Sequence, residues 1–316
     1  MKKTIQILVL VIGGLCQKAS AQTITETFGT GADQFSIEFV NIGNPGNAAD
    51  TTGFGAVSYT YNLGKYEINR DVINKANLIG GLGITMPSMS TVWGNDRPNN
   101  PATGISWNEA ARFVNMLNTL KGYHIAYNFL TSDSNSNISL WSNGEYNGNN
   151  QFRHKDAFYF LPSVDEWYKG AFGSLDGTWY KYATGSNNTP LAVSSGINSG
   201  TVVFGKSVSS GPAEVTNAGG LSAFGTMAQT GNAFEWTETA YDGVNDTPSE
   251  AREARGGGFS SPLEEMDSAL RISLPAPGVQ LNTEDGFRVA SVPEPCALSL
   301  LAIGLGGLVI LRRRCS

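Results

Sequence analysis

Apolar and polar residues alternate over Phe35-Ser36-Ile37-Glu38-Phe39, the period of a half-buried strand. The alternation returns at Val57, Tyr59, Tyr61 and Leu63 and runs into Gly64-Lys65-Tyr66-Glu67-Ile68, which predicts a second strand. Between them, residues 42–55 are rich in glycine, asparagine and proline and read as a loop. Asn69 can then cap a short helix through Ala76. The strongest helix opens at Ser106, with Glu109 at the spacing of a capping box. Trp107, Ala110, Ala111, Val114 and Leu117 make its apolar face, and Asn108, Arg112, Asn115 and Asn118 its wetted one. Gly122 is placed to end it. Ser163 and Glu166 repeat the capping spacing ahead of Trp167, Tyr168 and Ala171. Past Gly173 the chain is rich in glycine, serine and asparagine, broken by brief apolar stretches, without an internal repeat. The pattern predicts an α+β domain of few short helices and strands and high loop content.

The two ends carry a different signal. Lys2 and Lys3 precede an apolar run at 5–15, and Ala19-Ser20-Ala21 supplies the small residues a signal peptidase accepts, so 1–21 reads as a secretory signal. At the other end Pro293-Glu294-Pro295 leads into an apolar run at 297–311, followed by Arg312, Arg313 and Arg314. That run, at about 15 residues, is short of the ~20 that cross a bilayer comfortably, and the arginines would hold its end in the cytoplasm. The order of the three parts resembles the PEP-CTERM sorting signal, which implies an exosortase-type enzyme as a partner, a membrane anchor at least before tail processing, and a destination at the cell surface, outer envelope or extracellular matrix. Four segments are expected: a signal peptide (1–21), an N-terminal strand and loop (22–54), the main domain (55–291) and the sorting tail with its apolar helix (292–316).

Composition narrows the domain's chemistry. The net charge is -6, only 15% of residues are charged, and no Lys/Arg cluster lies outside the tail, so nothing offers an electrostatic footprint for nucleic acid. Hydrophobic and aromatic contents of 41% and 10% suit a packed core. The cysteines are Cys16, Cys296 and Cys315, all in the terminal segments. An exported domain could form disulfides, but this one has no thiol with which to do so.

Six blocks occur in order: GKYEIN (64–69), PATGISWNEAARFVNMLN (101–118), FYFLPSVDEWYKGAF (158–172), TGNAFEW (230–236), RGG (255–257) and GFRVA (286–290). Together they resemble the formylglycine-generating enzyme, or sulfatase-modifying factor, family, over nearly all of residues 55–291. The resemblance implies a C-type-lectin-like fold with little regular structure. It also implies the family's oxidase chemistry, in which two cysteines after RGG bind copper and activate oxygen. Laid without gaps, those positions fall on Ser261 and Met266. A hydroxyl and a lone thioether do not replace two thiolates, and the domain has no other cysteine. Copper and the oxidase reaction are therefore not expected.

The resemblance further implies a calcium held by the carbonyls of Gly231 and Ala233 and the side chain of Glu235; its fourth ligand position falls on Ala228, which has no side-chain oxygen. An iron site of two histidines and a carboxylate would need His124 and His154 to converge from different blocks, and each reads instead as an ordinary surface or satisfied histidine. Asp133-Ser134-Asn135-Ser136-Asn137 resembles the start of a calcium loop, but Ile138 stands where glycine makes the turn and Gly144 where a bidentate glutamate belongs, leaving a solvated loop. The carboxylate pairs Glu235/Glu238 and Glu264/Glu265 read as solvated loop acids rather than a glycosidase pair. Trp107, Trp167 and Trp236 fall in the family blocks and read as core, whereas Trp141 and Trp179 are candidates for exposed stacking platforms. The expectation is an exported, non-catalytic binding or matrix module whose ligand is a glycan, a matrix polymer or a protein. The alternative is an oxidoreductase of the formylglycine-generating or non-haem iron type.

Overall fold

A computed structural model describes residues 23–88, 97–132, 136–274, 277–279 and 284–293. The chain opens with β1 (Thr23–Phe28) and β2 (Phe35–Ile42), an antiparallel hairpin with Phe28 opposite Phe35. Alternation does not announce β1 because it is an edge strand of threonines and a glutamate, with only Phe28 fully buried. β2 pairs with β3 (Tyr61–Gly64), so the 22–54 segment is continuous with the first sheet. The strand expected from Val57 begins only at Tyr61, and both of its faces are buried, Asn62 included.

Three helices follow the expected caps. Asn69 accepts from Val72 N–H at the start of α1 (Arg70–Gly80), which ends at Gly81 in the left-handed region rather than at Ala76. Capping boxes at Ser106/Glu109 and Ser163/Glu166 open α2 (Trp107–Lys121) and α3 (Val164–Phe172). The face of α2 expected to be wet is so only in part, with Arg112 and Asn115 half-buried. Asn108 and Asn118 are fully buried. Asn118 accepts from Phe158 and Tyr159 N–H and donates to Tyr159 O at 2.8 Å, supporting β4 (Tyr159–Phe160). Asn115 accepts from Ala126 and Tyr127 N–H and donates to Tyr127 O. These amides satisfy backbone groups that irregular segments cannot satisfy among themselves, which is why polar residues occupy a buried helix face.

The rest is short strands: β5 (Leu191–Ala192), β6 (Thr201–Val202), β7 (Phe234–Ala240), β8 (Arg252–Arg255), β9 (Ile272–Leu274), β10 (Asp285–Phe287) and β11 (Ala290–Ser291). They form a five-stranded sheet ordered β1-β2-β3-β11-β4, a four-stranded sheet ordered β10-β7-β8-β9, and the pair β5-β6. Only Arg288 and Val289 separate β10 in one sheet from β11 in the other, so the GFRVA block is where the chain crosses between sheets. Trp107, Trp167 and Trp236 are fully buried, as expected. Their indole N–H groups donate to Thr237 O, Glu235 Oε2 and Ile105 O. Among the described residues no helix is long and apolar enough to cross a membrane. The signal segment 1–21 and the tail run 297–311, with Glu294, Pro295 and Arg312–Arg314, lie outside the described residues; Pro293 is the last one described.

Candidate functional site

The two positions on which the resemblance sets the family's cysteines are Ser261 and Met266, which follow the RGG block. Gly256 and Gly257 adopt φ of 97° and 72°. A Cβ on Gly256 would come within 2.6 Å of Gln229 O, and one on Gly257 would strike Met266. RGG is thus a backbone crossing that only glycine permits. Beyond it, Ser261 Oγ accepts from Gly258 N–H at 2.9 Å, and Ser261 N–H returns to Gly258 O. Met266 ends a 3-10 turn (Leu263–Met266) and packs fully buried with Tyr182 and Val202. Ser261 closes a turn and Met266 fills a core, and both are buried.

The residues expected to hold calcium meet an arginine. Glu235 is fully buried in β7, bound by Arg288 through Nε–Oε2 and Nη2–Oε1 contacts of 2.5 Å and by Trp167 Nε1 at 2.6 Å. Arg288 spends its remaining N–H groups on Gly64, Lys65 and Met227 carbonyls. Gly231 O accepts from Ala233 N–H, and Ala228, at φ 58°, contributes no side-chain oxygen. These residues do not fit a calcium ion: Glu235's charge is neutralised by a guanidinium, and a dication beside it would face that guanidinium. Glu67 lies against this pair, its Oε2 accepting from Asn232 Nδ2 at 2.7 Å. Burial, and then the Glu235 carboxylate, push its carboxyl well above the usual range. Burial therefore favours the neutral form of Glu67 beside a pair that already holds one negative and one positive charge.

A second arginine centre was not legible as one. Arg153 binds Glu238 through Nε at 2.8 Å and Nη2 at 2.6 Å, and Glu166 through Nη2 at 3.0 Å. Tyr127 and Asn150 also donate to Glu238, while Tyr59 and Ser163 N–H donate to Glu166. Burial alone would raise the Glu166 carboxyl, but Arg153 holds it below its ordinary value. Glu235 and Glu238 are thus fully buried strand residues, each paired with its own arginine, rather than solvated loop acids. The overlooked signal is Glu166, whose capping role hid a second one: its position next to Trp167 places α3 between the two centres.

The Arg153 centre floors a cleft of about 550 Å³. Arg153 lies over the Phe160 ring at 3.8 Å, its side chain 14% exposed. Tyr59, 48% exposed, forms part of its wall, and Asn147, Lys155 and Pro293 also line it. Beside it, His124 and His154 do converge, contrary to the sequence reading. Their rings stack at 3.5 Å and 9°, with the Trp141 ring edge-on. Stacked imidazoles direct their in-plane lone pairs along parallel lines, so they do not aim at one ion. Among the described residues no group of three or more His, Cys, Asp or Glu is placed to hold a metal. Trp141 and Trp179 are half-buried, not exposed; Trp141 donates to Ala126 O and Trp179 packs on Tyr168. Of the 133–137 loop, Ser136 and Asn137 are pinned by Asn108, while Ile138 is buried in the core; 133–135 lie outside the described residues.

The family described as "Sulfatase-modifying factor enzyme 1-like domain" matches residues 8–292. No curated protein matches the chain. Among solved structures it is similar to Treponema denticola variable protein 1, at 17% identity over 85% of this chain and 99% of that one, with a TM-score of 0.59. CarF matches at 19% identity over 82% and 99%, TM-score 0.57. PvdO from Pseudomonas aeruginosa matches at 15% over 85% and 98%, TM-score 0.52. At these identities the likeness to the solved structures is one of fold, and it agrees with the loop-rich α+β architecture expected from the six blocks.

Proposed function

The chain belongs to the sulfatase-modifying factor enzyme 1-like domain family, and from that premise we propose that it is an exported, non-catalytic binding module. One observation carries this reading: the positions of the family's paired cysteines are a turn-closing serine and a core methionine, both buried. A soft, redox-active metal has no thiolate there, and no other cysteine of the domain can supply one. The preserved blocks then serve the fold. RGG makes a backbone crossing, while GN-x-x-EW and GFRVA supply the Glu235–Arg288 pair.

Export is read from the signal at 1–21, and sorting from Pro293-Glu294-Pro295, the apolar run and Arg312–Arg314. Signal peptidase and an exosortase-type enzyme act on the ends, and the module reaches the cell surface, outer envelope or matrix to bind a glycan, matrix polymer or protein. Calcium is left out of this reading because Glu235 is committed to Arg288. The test is oxygen consumption by the full-length chain with a cysteine-bearing peptide, together with metal analysis of the same preparation. No turnover and no stoichiometric copper or iron is expected; turnover with either metal would overturn the proposal.

A further inference from the structure

The polar atoms at the floor of the Arg153 cleft can be counted against their capacity. Glu238 Oε1 accepts from Tyr127 and Arg153, and Oε2 from Asn150 and Arg153. Glu166 Oε1 accepts from Tyr59 and Arg153, and Oε2 from Ser163 N–H and Arg153. A guanidinium has five N–H donors. Nε–H is shared across both oxygens of Glu238, Nη2 gives one hydrogen to each carboxylate, and Nη1 gives one to Glu166. The second Nη1 hydrogen has no acceptor among the described residues. The floor therefore offers a donor, has its carboxylate oxygens already engaged, and carries one positive charge against two negative ones.

That balance selects a ligand. Lys155 also lines the cleft and brings the balance to two positive and two negative charges, so an anion finds no net attraction there. A cation would find the carboxylates occupied and meet the guanidinium. A neutral molecule rich in hydroxyl and ether oxygens meets both conditions. The wall supplies the rest: the Tyr59 ring lines the cleft and is fixed by its hydroxyl bond to Glu166 at 2.7 Å, so an aromatic ring is held there without a rotamer search. The face of such a ring packs against the C–H surface of a pyranose. A volume of about 550 Å³ lies within the ~300–1,000 Å³ of small-molecule clefts.

We propose that this cleft binds a neutral saccharide, a hydroxyl or ring oxygen accepting from Arg153 Nη1 while a sugar face stacks on Tyr59. The proposal rests on the binding-module reading above and gives that module its site and ligand class.

The test is binding by the full-length chain, held in a detergent without a sugar headgroup, to neutral glucan, mannan and galactan oligosaccharides, with polygalacturonate as the anionic comparator. At least one neutral saccharide should bind more tightly than polygalacturonate. Tyr59→Ala should weaken it at least tenfold. Asn147→Trp, which crowds the cleft from an exposed loop without touching the buried ion pairs, should do the same at an unchanged melting temperature. Leu130→Ala, at a residue 77% exposed that lines a separate groove beside α2, should leave binding unchanged. No neutral saccharide bound, a preference for polygalacturonate, or binding untouched by both cleft variants would overturn the inference. With oxygen consumption still nil, each of those results leaves the module reading standing; only thiol-peptide turnover removes that reading itself.

Discussion

Arg288 and Arg153 do the same chemistry to different ends. Arg288 meets one carboxylate, Glu235, and three backbone carbonyls, so five donors find five acceptors with no charge left over. Both side chains of that pair are fully buried. Arg153 meets two carboxylates, keeps one donor unspent and reaches the surface at the bottom of a cleft. Helix α3 serves both centres from adjacent residues, Trp167 on Glu235 and Glu166 on Arg153. A closed complement ties segments together, here the end of β3, the turn at Met227 and β7. An open complement with surplus charge and a spare donor is a surface prepared for something else. The fold seals the first kind and opens the second to the cleft, with their contacts one residue apart on the same helix.

The largest effect should come from cutting each arginine. Arg288→Met removes the charge partner of Glu235 in a dry core, where breaking a buried pair costs roughly 3–5 kcal/mol. Arg153→Met leaves two carboxylates, yet Tyr59, Ser163, Tyr127 and Asn150 still donate to them, and the cleft borders the position the guanidinium vacates. Its cost should be about half that of Arg288→Met. Urea unfolding of both variants measures the difference, and equal losses would erase the distinction drawn between the centres.

The helices were legible because capping is local: Ser106/Glu109 and Ser163/Glu166 close their boxes within four residues. The six blocks carried the fold class, and the missing thiols at Ser261 and Met266 carried the argument against oxidase chemistry. What could not be read depends on long-range partners. The buried amides of α2 look wet until the irregular segments at 126–127 and 158–159 lie against them. Arg153 and Glu238 stand 85 residues apart, and neither position carries a local mark of the other. The histidine stack needs a bridge between His124 and Ala157 that no periodicity encodes. Glu235 could be assigned to calcium for a similar reason: the carboxylate is visible in the block, but the guanidinium that occupies it comes from 53 residues away.

A smaller effect tests whether charge balance separates the two centres. Glu67 adjoins the sealed one, its carboxyl pushed up first by burial and then by Glu235. Ionising it would give that centre two carboxylates for one arginine, the count found around Arg153. The folded protein holds this proton more tightly than the unfolded chain does. Stability is therefore full below the unfolded carboxylate value of ~4.3 and is lost as pH rises from there through the raised folded value. Glu67→Gln keeps an oxygen for Asn232 and removes the titration. Melting temperature followed from pH 5 to 9 should decline less in Glu67→Gln than in the wild type; parallel curves would mean that Glu67 is already ionised and that the sealed centre is not charge-matched.

The smallest effect lies at the rim of the open centre. His154 lines the cleft with its side chain 7% exposed and stacked on His124. Burial first, and His124 next, hold its imidazole below the ordinary value, while Asp156 and Glu145 pull the other way and Lys155 adds to the depression. The unfolded chain takes up this proton first. Stability is thus present above pH ~6.5 and is lost as pH falls from there through the depressed folded value, bounded by the ~1.4 kcal/mol per pH unit that one proton can contribute. His154→Phe keeps a ring against His124 and Trp141 and cannot titrate, so its denaturation midpoint should fall less than the wild type's between pH 7 and 5. Because Arg153 and its carboxylates are untouched by the substitution, the midpoint at pH 7 should stay close to the wild-type value. A large loss at pH 7 would show that rim and floor are one packed unit, and the open side assigned to the Arg153 centre would then belong to its structural core.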